Sequence, residues 1–270
     1  MSIVIKTAEE IEKMRAAGKL AAQVLEMIAP HVKEGVTTDE LNDICAKYTE
    51  EHGAISAPLN YHGFPKSICT SINEVICHGI PSPRKLVSGD IINIDVTVIL
   101  DGYHGDTSKM FYIGDVSAAD KHLCSITQEA LYVAIKSVKP GVKVCDIGET
   151  IEKFIKVKNK NRPNKYSIVT DFCGHGIGAG FHEEPQVMHY KDKFGRPDKR
   201  VLRAGMCFTI EPMINAGKKH CYIDADDNWT AYTKDGKNSA QWEHTLLVTE
   251  TGVEVLTLRS EEDLPRVING

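Results

Sequence analysis

Ile91-Ile92-Asn93-Ile94-Asp95-Val96-Thr97-Val98-Ile99-Leu100-Asp101-Gly102-Tyr103-His104-Gly105-Asp106-Thr107-Ser108-Lys109-Met110-Phe111 is the stretch on which the reading of this chain turns. Its first ten residues alternate, with Ile92, Ile94, Val96 and Val98 on one face and Asn93, Asp95 and Thr97 on the other, the period of a strand with one apolar side. Asp101-Gly102 is the dipeptide of a two-residue hairpin turn, so Tyr103–Phe111 returns beside the first strand. If Leu100 pairs with Tyr103, Asp106 falls opposite Thr97 and diagonal to Asp95 on the polar face. Diagonal neighbours lie roughly 7–8 Å apart, close enough for the side chains to converge. Two converging carboxylates repel, and the remedies are a shared proton, a cationic partner or a metal. Lys109 has the parity of the opposite face and is a poor partner.

Outward from the hairpin the pattern becomes helical. Thr7 with Glu10 forms a capping box before Ile11, Met14, Ala17, Ala21, Leu25 and Ile28, and Pro30 closes that run. Thr37 with Glu40 caps a second helix carrying Leu41, Ile44, Cys45 and Tyr48, stopped by Gly53. A helical pattern over Leu123–Val138 ends at Pro140-Gly141, and a shorter helix follows with Ile147, Ile151 and Phe154. Gly35-Val36 aligns with Gly141-Val142 at an offset of 106 residues, and Leu41, Cys45 and Tyr48 then fall on Ile147, Ile151 and Phe154. The chain therefore reads as one catalytic domain, 1–270, with an internal repeat dividing near 1–115 and 116–270 and a cleft between the halves. The remaining strand-like segments are Lys109–Ile113, Tyr166–Asp171, Met206–Glu211 and Gln241–Glu250. Runs of helix alternate with runs of strand, which predicts an α+β fold over a doubly wound parallel sheet.

Composition removes whole classes of function. With 32 Lys and Arg against 37 Asp and Glu among 270 residues the chain is mildly acidic, at −5, which argues against a coat for nucleic acid. The best apolar run, Ile91–Leu100, is interrupted by Asn93 and Asp95 and cannot span a membrane. The N-terminal residues lack the apolar core of a signal peptide, and the eight cysteines include no CxxC pair. They read as reduced thiols in a cytoplasmic protein. The basic segment Lys156–Lys165 reads as a solvated loop or hairpin tip in preference to an RNA contact.

Three further stretches carry chemistry. Gly174-His175-Gly176-Ile177-Gly178-Ala179-Gly180-Phe181-His182-Glu183-Glu184-Pro185 formally contains G-x-G-x-x-A. Gly178, Gly180 and Pro185 forbid the helix that a dinucleotide fingerprint requires, so the glycines serve to bring backbone close while presenting two imidazoles. Phe208-Thr209-Ile210-Glu211-Pro212 ends a strand on a carboxylate. Gln241-Trp242-Glu243-His244-Thr245 places Gln241, Glu243 and Thr245 on one strand face. Two Asp, two Glu and one or two His form an oxygen-rich donor set that suits a pair of Mn²⁺, Fe²⁺ or Co²⁺ ions better than a Cys-rich structural zinc. A cysteine peptidase built on Cys77 or Cys69 is the weaker reading, because the strand neighbours Cys77 and His78 face opposite ways.

These residues, together with Cys77-His78-Gly79-Ile80-Pro81, Gly105-Asp106-Thr107 and Ser239-Ala240-Gln241-Trp242-Glu243-His244-Thr245, resemble the type I methionine aminopeptidases of the bacterial form, from about Ile11 to Leu258. The resemblance implies the pita-bread fold, with two pseudo-symmetric halves around a dinuclear metal centre whose ions are Co, Mn, Fe or Zn. It makes Asp95 the chelating aspartate of one metal, Asp106 and Glu243 the carboxylates bridging both, and His175 and Glu211 the ligands of the other. His78 and His182 correspond to histidines that contact the substrate amide and the developing oxyanion, Glu211 to a proton shuttle, and Thr97 to a hydroxyl near the metal water. Tyr61, Phe64, Cys69, Phe181 and Trp229 resemble the walls of the methionine pocket, with His62 beside them. Pro58 stands where many bacterial members have a second pocket cysteine, and the segment 156–165 is longer than usual.

The function implied is removal of the N-terminal methionine from nascent proteins and peptides, preferably before a small second residue. The implied protein is a monomer with possible ribosome contact, without membrane or sequence-specific nucleic-acid partners. Two other readings compete: an Xaa-Pro aminopeptidase or prolidase of the same fold, which would use the same five ligands, and a non-enzymatic ribosome-binding adaptor, which loss of ligands would mark.

Overall fold

The structure is a computed structural model that describes residues 2–192 and 195–270. Helices α1 (Ala8–Ile28) and α2 (Thr38–Glu51) both open with the expected reciprocal caps: the Thr7 and Thr37 hydroxyls accept the Glu10 and Glu40 amides, while those glutamates take back the threonine amides. Each cap satisfies two amides that a helix start leaves orphaned and contributes about 1 kcal/mol. Pro30 lies in the short 3₁₀ turn that ends α1, and Gly53, in the left-handed region at φ 70°, ends α2.

Strands β1 (Cys69–Ile72) and β2 (Val75–Cys77) precede the hairpin of β3 (Ile91–Leu100) and β4 (Tyr103–Tyr112). The hairpin has the expected register from Leu100 opposite Tyr103 to Ile91 opposite Tyr112, so Thr97 faces Asp106. Strand β1 pairs with the other edge of β3, setting Cys69 opposite Asp95. Ile92, Ile94, Val96 and Val98 are wholly buried against Ala21, Val24 and Leu25 of α1 and Leu41 and Cys45 of α2. Burial of each such aliphatic side chain stabilises the fold by roughly 1.5–3 kcal/mol. Helix α1 crosses β4 so closely that a Cβ on Gly105 would sit 2.4 Å from the Ala17 carbonyl carbon, and only glycine fits there.

The second half opens in the same way. Gly35 N–H donates to Leu86 C=O at 2.8 Å, Leu86 to Val36 at 2.8 Å and Thr38 to Arg84 at 3.2 Å; Gly141 donates to Leu202 at 3.0 Å, Leu202 to Val142 at 2.8 Å and Val144 to Arg200 at 3.0 Å. Helices α3 (Ala118–Lys136) and α4 (Val144–Lys158) follow. Behind them stand β5 (Gly174–Gly176), β6 (Glu183–Val187), β7 (Cys207–Ile210), β8 (Met213–Asn215), β9 (Ser239–Gln241), β10 (His244–Val248), β11 (Gly252–Val255) and β12 (Val267–Asn269). Six of these form an antiparallel sheet in the order β12-β11-β10-β7-β5-β6. Leu123, Ile126 and Leu131 of α3 and Ile147 and Ile151 of α4 pack with Phe208, Ile210, Leu246 and Val253 in the larger core. The architecture is α+β with antiparallel sheets, as the sequence predicts.

Three local expectations are corrected, while the return strand is the expected Tyr103–Phe111 extended by one residue to Tyr112 and stopping short of Ile113. Tyr166–Asp171 contains only a two-residue strand, Ser167–Ile168, because nothing beyond it pairs except one Val169 amide, which reaches Met213 C=O at 3.0 Å. The expected strand Gln241–Glu250 is broken at Trp242-Glu243: the indole Nε1 donates to Cys124 C=O at 3.1 Å and the Glu243 amide donates to Ser108 C=O at 3.1 Å, so the chain leaves one sheet and enters another. The basic segment is a loop only from Asn159 onward and forms no hairpin tip. Its first residues continue α4 to Lys158, and Asn159 then clamps both the amide and the carbonyl of Tyr166 at 2.9 Å.

The polar face of the hairpin meets the second half through buried hydrogen bonds. Asn93 Nδ2 donates to Gln241 C=O at 2.9 Å, and the Thr245 hydroxyl bonds both the amide and the carbonyl of Asp106, at 3.1 and 2.8 Å. All eight cysteines are free, and among the described residues no helix is long and apolar enough to cross a membrane.

Candidate metal centre and substrate cavity

A cavity of about 440 Å³ opens at this seam. Its floor is made by Asp95 and Thr97 from β3, Asp106 from β4, His175 from β5, and Glu211 and Glu243 from the residues just after β7 and β9. Asp106, His175 and Glu243 are buried and bring one donor atom each to within 4.8 Å of one another. His175 Nε2 lies 3.6 Å from both Asp106 Oδ2 and Glu211 Oε1. Three of the five expected ligands thus meet within one donor set, Glu211 reaches it through His175, and Asp95 lines the same cavity.

Three of the donors, His175, Asp106 and Glu211, are oriented from behind. His175 Nδ1 lies 3.0 Å from the Gly176 carbonyl, which can only accept, so that nitrogen carries the proton and Nε2 turns its lone pair to the carboxylates. Thr97 Oγ1 donates to Asp106 Oδ1 at 2.7 Å, Thr209 Oγ1 to Glu211 Oε1 at 2.9 Å, and Gln241 Nε2 to Glu211 Oε2 at 3.2 Å. The Glu211 amide donates to Nε2 of the fully buried His189 at 3.2 Å.

The electrostatics are those of negative charge gathered out of water. Burial, with the neighbouring carboxyl of Asp106 in weak opposition, pushes Asp95 up to about 7. Burial and then the charge of Asp95 push Glu211 up to about 8. Asp106 and Glu243 are raised well above the usual range by burial and by the other carboxylates. Burial lowers His175 to about 3, so its imidazole is neutral and able to ligate. Among the described residues no lysine or arginine forms an ion pair with any of the four carboxylates, and the buried Asp95 Oδ1 has no hydrogen-bond partner. Four carboxylates matched to no cationic side chain, with one neutral imidazole, are the donor set of hard or borderline divalent ions, and the residues fit such ions.

The walls are aromatic and sulfur-bearing: Tyr61, Phe64, Cys69, Cys77, His78, Phe172, Phe181, Met213 and Trp229, with Pro58 at the rim. Loops supply most of them. Tyr61 follows Asn60 at φ 66°, Trp229 follows Asn228 at φ 59°, and His78 itself has φ 57°, which turns it off the end of β2. Phe64 and Trp229 meet edge to face at 5.3 Å, and Tyr61 packs against Phe181 at 4.8 Å. The Tyr61 hydroxyl is 2.8 Å from His182 Nδ1. Burial lowers His78 to about 4, and enclosure in the cavity followed by the neighbouring imidazole of His78 also keeps His182 below the usual range. Burial holds the thiols of Cys69 and Cys77 well above their ordinary value, which leaves no thiolate for a cysteine peptidase.

Of the residues singled out from sequence, His62 alone is not brought to the cavity; it is exposed, its ring set edge-on to Tyr61 at 4.4 Å. Sequence reasoning missed His189, Phe172, Cys173, Gln186 and Met213, and did not assign Thr209 or Cys77 a role at the site. Thr209 was within reach, because it lies two residues before Glu211 on the same strand face.

Residues 12–250 match the model of metallopeptidase family M24. The chain is 56% identical over 271 aligned residues to the methionine aminopeptidase of Escherichia coli (strain K12), covering 100% of this chain and 99% of that protein. The chain belongs to metallopeptidase family M24, and within it to the methionine aminopeptidases. The methionine aminopeptidase of Salmonella typhimurium (strain LT2) is 55% identical, over 99% of this chain and 98% of that one. The crystal structure of methionine aminopeptidase from Rickettsia prowazekii superposes with a TM-score of 0.90 at 50% identity, covering 95% of this chain and 100% of that chain. This is the pita-bread fold. A prolidase from Pyrococcus furiosus shares the fold alone, at a TM-score of 0.73 and 24% identity over 96% of this chain and 66% of that one. The family makes this chain a metal-dependent hydrolase, and the aminopeptidase reading holds over the prolidase and adaptor alternatives.

Proposed function

We propose that this chain removes the N-terminal methionine from peptides and nascent proteins, preferably where the second residue is small, with two divalent cations held by Asp95, Asp106, His175, Glu211 and Glu243. The single observation carrying the proposal is that these five donors, three of them within 4.8 Å of one another, line one cavity whose walls are aromatic rings and thiols. Four carboxylates balance the charge of two divalent ions. By the family resemblance, Asp106 with Glu243 would serve both ions, Asp95 one, and His175 with Glu211 the other. Co²⁺, Mn²⁺, Fe²⁺ and Zn²⁺ all suit this set. When bound, such cations supply Lewis-acid polarisation of the peptide carbonyl and acidify water toward neutral pH.

The chain's own groups do the rest. Glu211 would hold a proton taken from water and pass it to the leaving amine. With Tyr61 donating to Nδ1, the neutral His182 ring carries its proton on Nε2, a donor for the developing oxyanion. His78 contacts the substrate amide. Tyr61, Phe64, Cys69, Phe181 and Trp229 enclose the flexible thioether, which rings and sulfur contact well. Thr97 keeps Asp106 in place. We further propose that the halves 1–115 and 116–270 form one catalytic domain descended from a duplication. The enzyme would work as a monomer in the cytoplasm, with ribosome contact bringing nascent chains to the cavity.

The test is hydrolysis of Met-Ala-Ser and Ala-Pro peptides before and after chelation, with Mn²⁺, Fe²⁺ and Co²⁺ added back. Methionine release restored by metal, with no cleavage of the Ala-Pro peptide, is the expected result. Full activity after complete metal removal overturns it.

A further inference from the structure

Arg259 is a cation with no exposed side-chain surface, carried by the segment that follows β11. Its Nη1 donates to the Thr107 hydroxyl at 2.6 Å. Its Nη2 lies 3.1 Å from Glu262 Oε1, an ion pair without hydrogen-bond geometry. Of its side-chain contacts among the described residues, the one to Thr107 is the well-formed hydrogen bond. The Thr107 hydroxyl in turn donates to the Glu243 carbonyl at 2.7 Å. Thr107 also follows Asp106 in the chain, so one hydroxyl ties β4, which carries Asp106, to the Trp242-Glu243 break.

The same segment reaches the site by a second route. The Thr257 hydroxyl accepts the Thr245 amide at 3.0 Å, and the Thr245 hydroxyl bonds both the amide and the carbonyl of Asp106. His244 joins Thr257 to Glu262, through Nδ1 at 2.9 Å and Nε2 at 3.1 Å. Tyr132 of α3 donates to Glu262 Oε1 at 2.6 Å, and the guanidinium lies 5.8 Å from the centre of the Trp242 ring. A buried ion pair adds little stability against an apolar replacement of the same volume. The directional contact of the guanidinium is its hydrogen bond to Thr107, and what that bond restrains is the spacing between β4 and the Trp242-Glu243 break.

We propose that Arg259 is a positioning residue for the metal centre: through Thr107 it holds the two backbone segments from which the Asp106 and Glu243 carboxylates converge. This rests on the reading of the floor as a metal site. Groups behind metal ligands typically contribute about 10–100-fold to metal affinity.

The experiment titrates Co²⁺ into the metal-stripped full-length protein by calorimetry and records the visible Co²⁺ spectrum, with near-UV circular dichroism as the check on folding. Thr107→Val cuts the relay without emptying volume, Arg259→Met removes its source, and Thr107→Ser retains the hydroxyl. The expected result is affinity lowered about 10–100-fold with an altered spectrum for Thr107→Val and Arg259→Met, and wild-type values for Thr107→Ser. If Arg259→Met does not fold, Thr107→Val alone decides. Wild-type affinity and spectrum in folded Thr107→Val overturn the positioning role, as does a lowered melting temperature with Co²⁺ binding untouched. A wild-type protein that takes up no Co²⁺ refutes the metal reading itself, so the two failures are distinguishable.

Discussion

The floor and the walls of the cavity are built on opposite principles. Asp95, Asp106 and His175 are carried by hydrogen-bonded strands, Glu211 directly follows a strand and Glu243 directly precedes one, and the side chains of Asp106, His175 and Glu211 are hydrogen-bonded from behind. Tyr61, His78 and Trp229 sit on turns with residues in the left-handed region and are partly open to solvent. Groups that must keep like charges together out of water need a frame that cannot relax. Groups that enclose an unbranched side chain need surface and shape, which loops can supply.

If the contrast is right, substitutions on the floor act on turnover and substitutions on the walls act on KM. Asp106→Asn removes a charge shared between the proposed ions and is expected to lower kcat by about 10³-fold or more while far-UV circular dichroism stays native. Near-normal turnover in metal-supplemented assays would end the distinction. His182→Ala, at the border between the two regions, is expected to lower kcat by roughly 10²–10³-fold with KM little changed, the scale for loss of an oxyanion donor. Trp229→Ala belongs to the wall and is expected to raise KM for Met-Ala-Ser about 10–100-fold with kcat nearly kept. A loss confined to kcat would make Trp229 part of the floor.

The smallest expected effect is on stability of the metal-stripped protein. Asp95 and Glu211, raised to about 7 and 8, bind protons in the folded state that the unfolded chain has released, so they stabilise at low pH and lose that contribution as pH rises through those values. His78, His104, His175, His182, His189 and His244, all lowered by burial, act with the opposite sign, and that contribution is complete only about one pH unit above the unfolded histidine value near 6.5. From about pH 7.5 to 8.5 the imidazoles are neutral in both states and the raised carboxyl groups set the slope. The melting temperature of the stripped protein should therefore fall across that window by about 2–4 °C, the shift expected per kcal/mol in a chain of this size. Reloading with Co²⁺ should remove the slope. A stripped protein whose melting temperature rises from about pH 7.5 to 8.5 would show that the floor carboxylates are not held at raised proton affinity.

Legibility followed the same division. The hairpin register, and with it Thr97 opposite Asp106, came from alternation plus one Asp-Gly turn, because a two-residue loop leaves a single pairing. The caps at Thr7 and Thr37 came from a four-residue pattern whose partners are neighbours in the chain. The break at Trp242-Glu243 was not legible: the local pattern is that of a continuous strand, and only the demand of the indole for Cys124 and of the Glu243 amide for Ser108 interrupts it. His62 was placed beside the pocket through the family resemblance. The left-handed backbone at Asn60 and His62 presents Tyr61 inward and leaves His62 outside.

Periodicity, capping and turn chemistry act between residues a few positions apart, so the strands, the helices and the polar face with its carboxylates were written in the order of the amino acids. Convergence is another matter. Phe64 meets Trp229, Tyr61 meets His182, and Arg259 reaches Thr107 across contacts that no local rule encodes. Those meetings exist because two apolar cores close on each other and the seam between them must satisfy every polar group it buries.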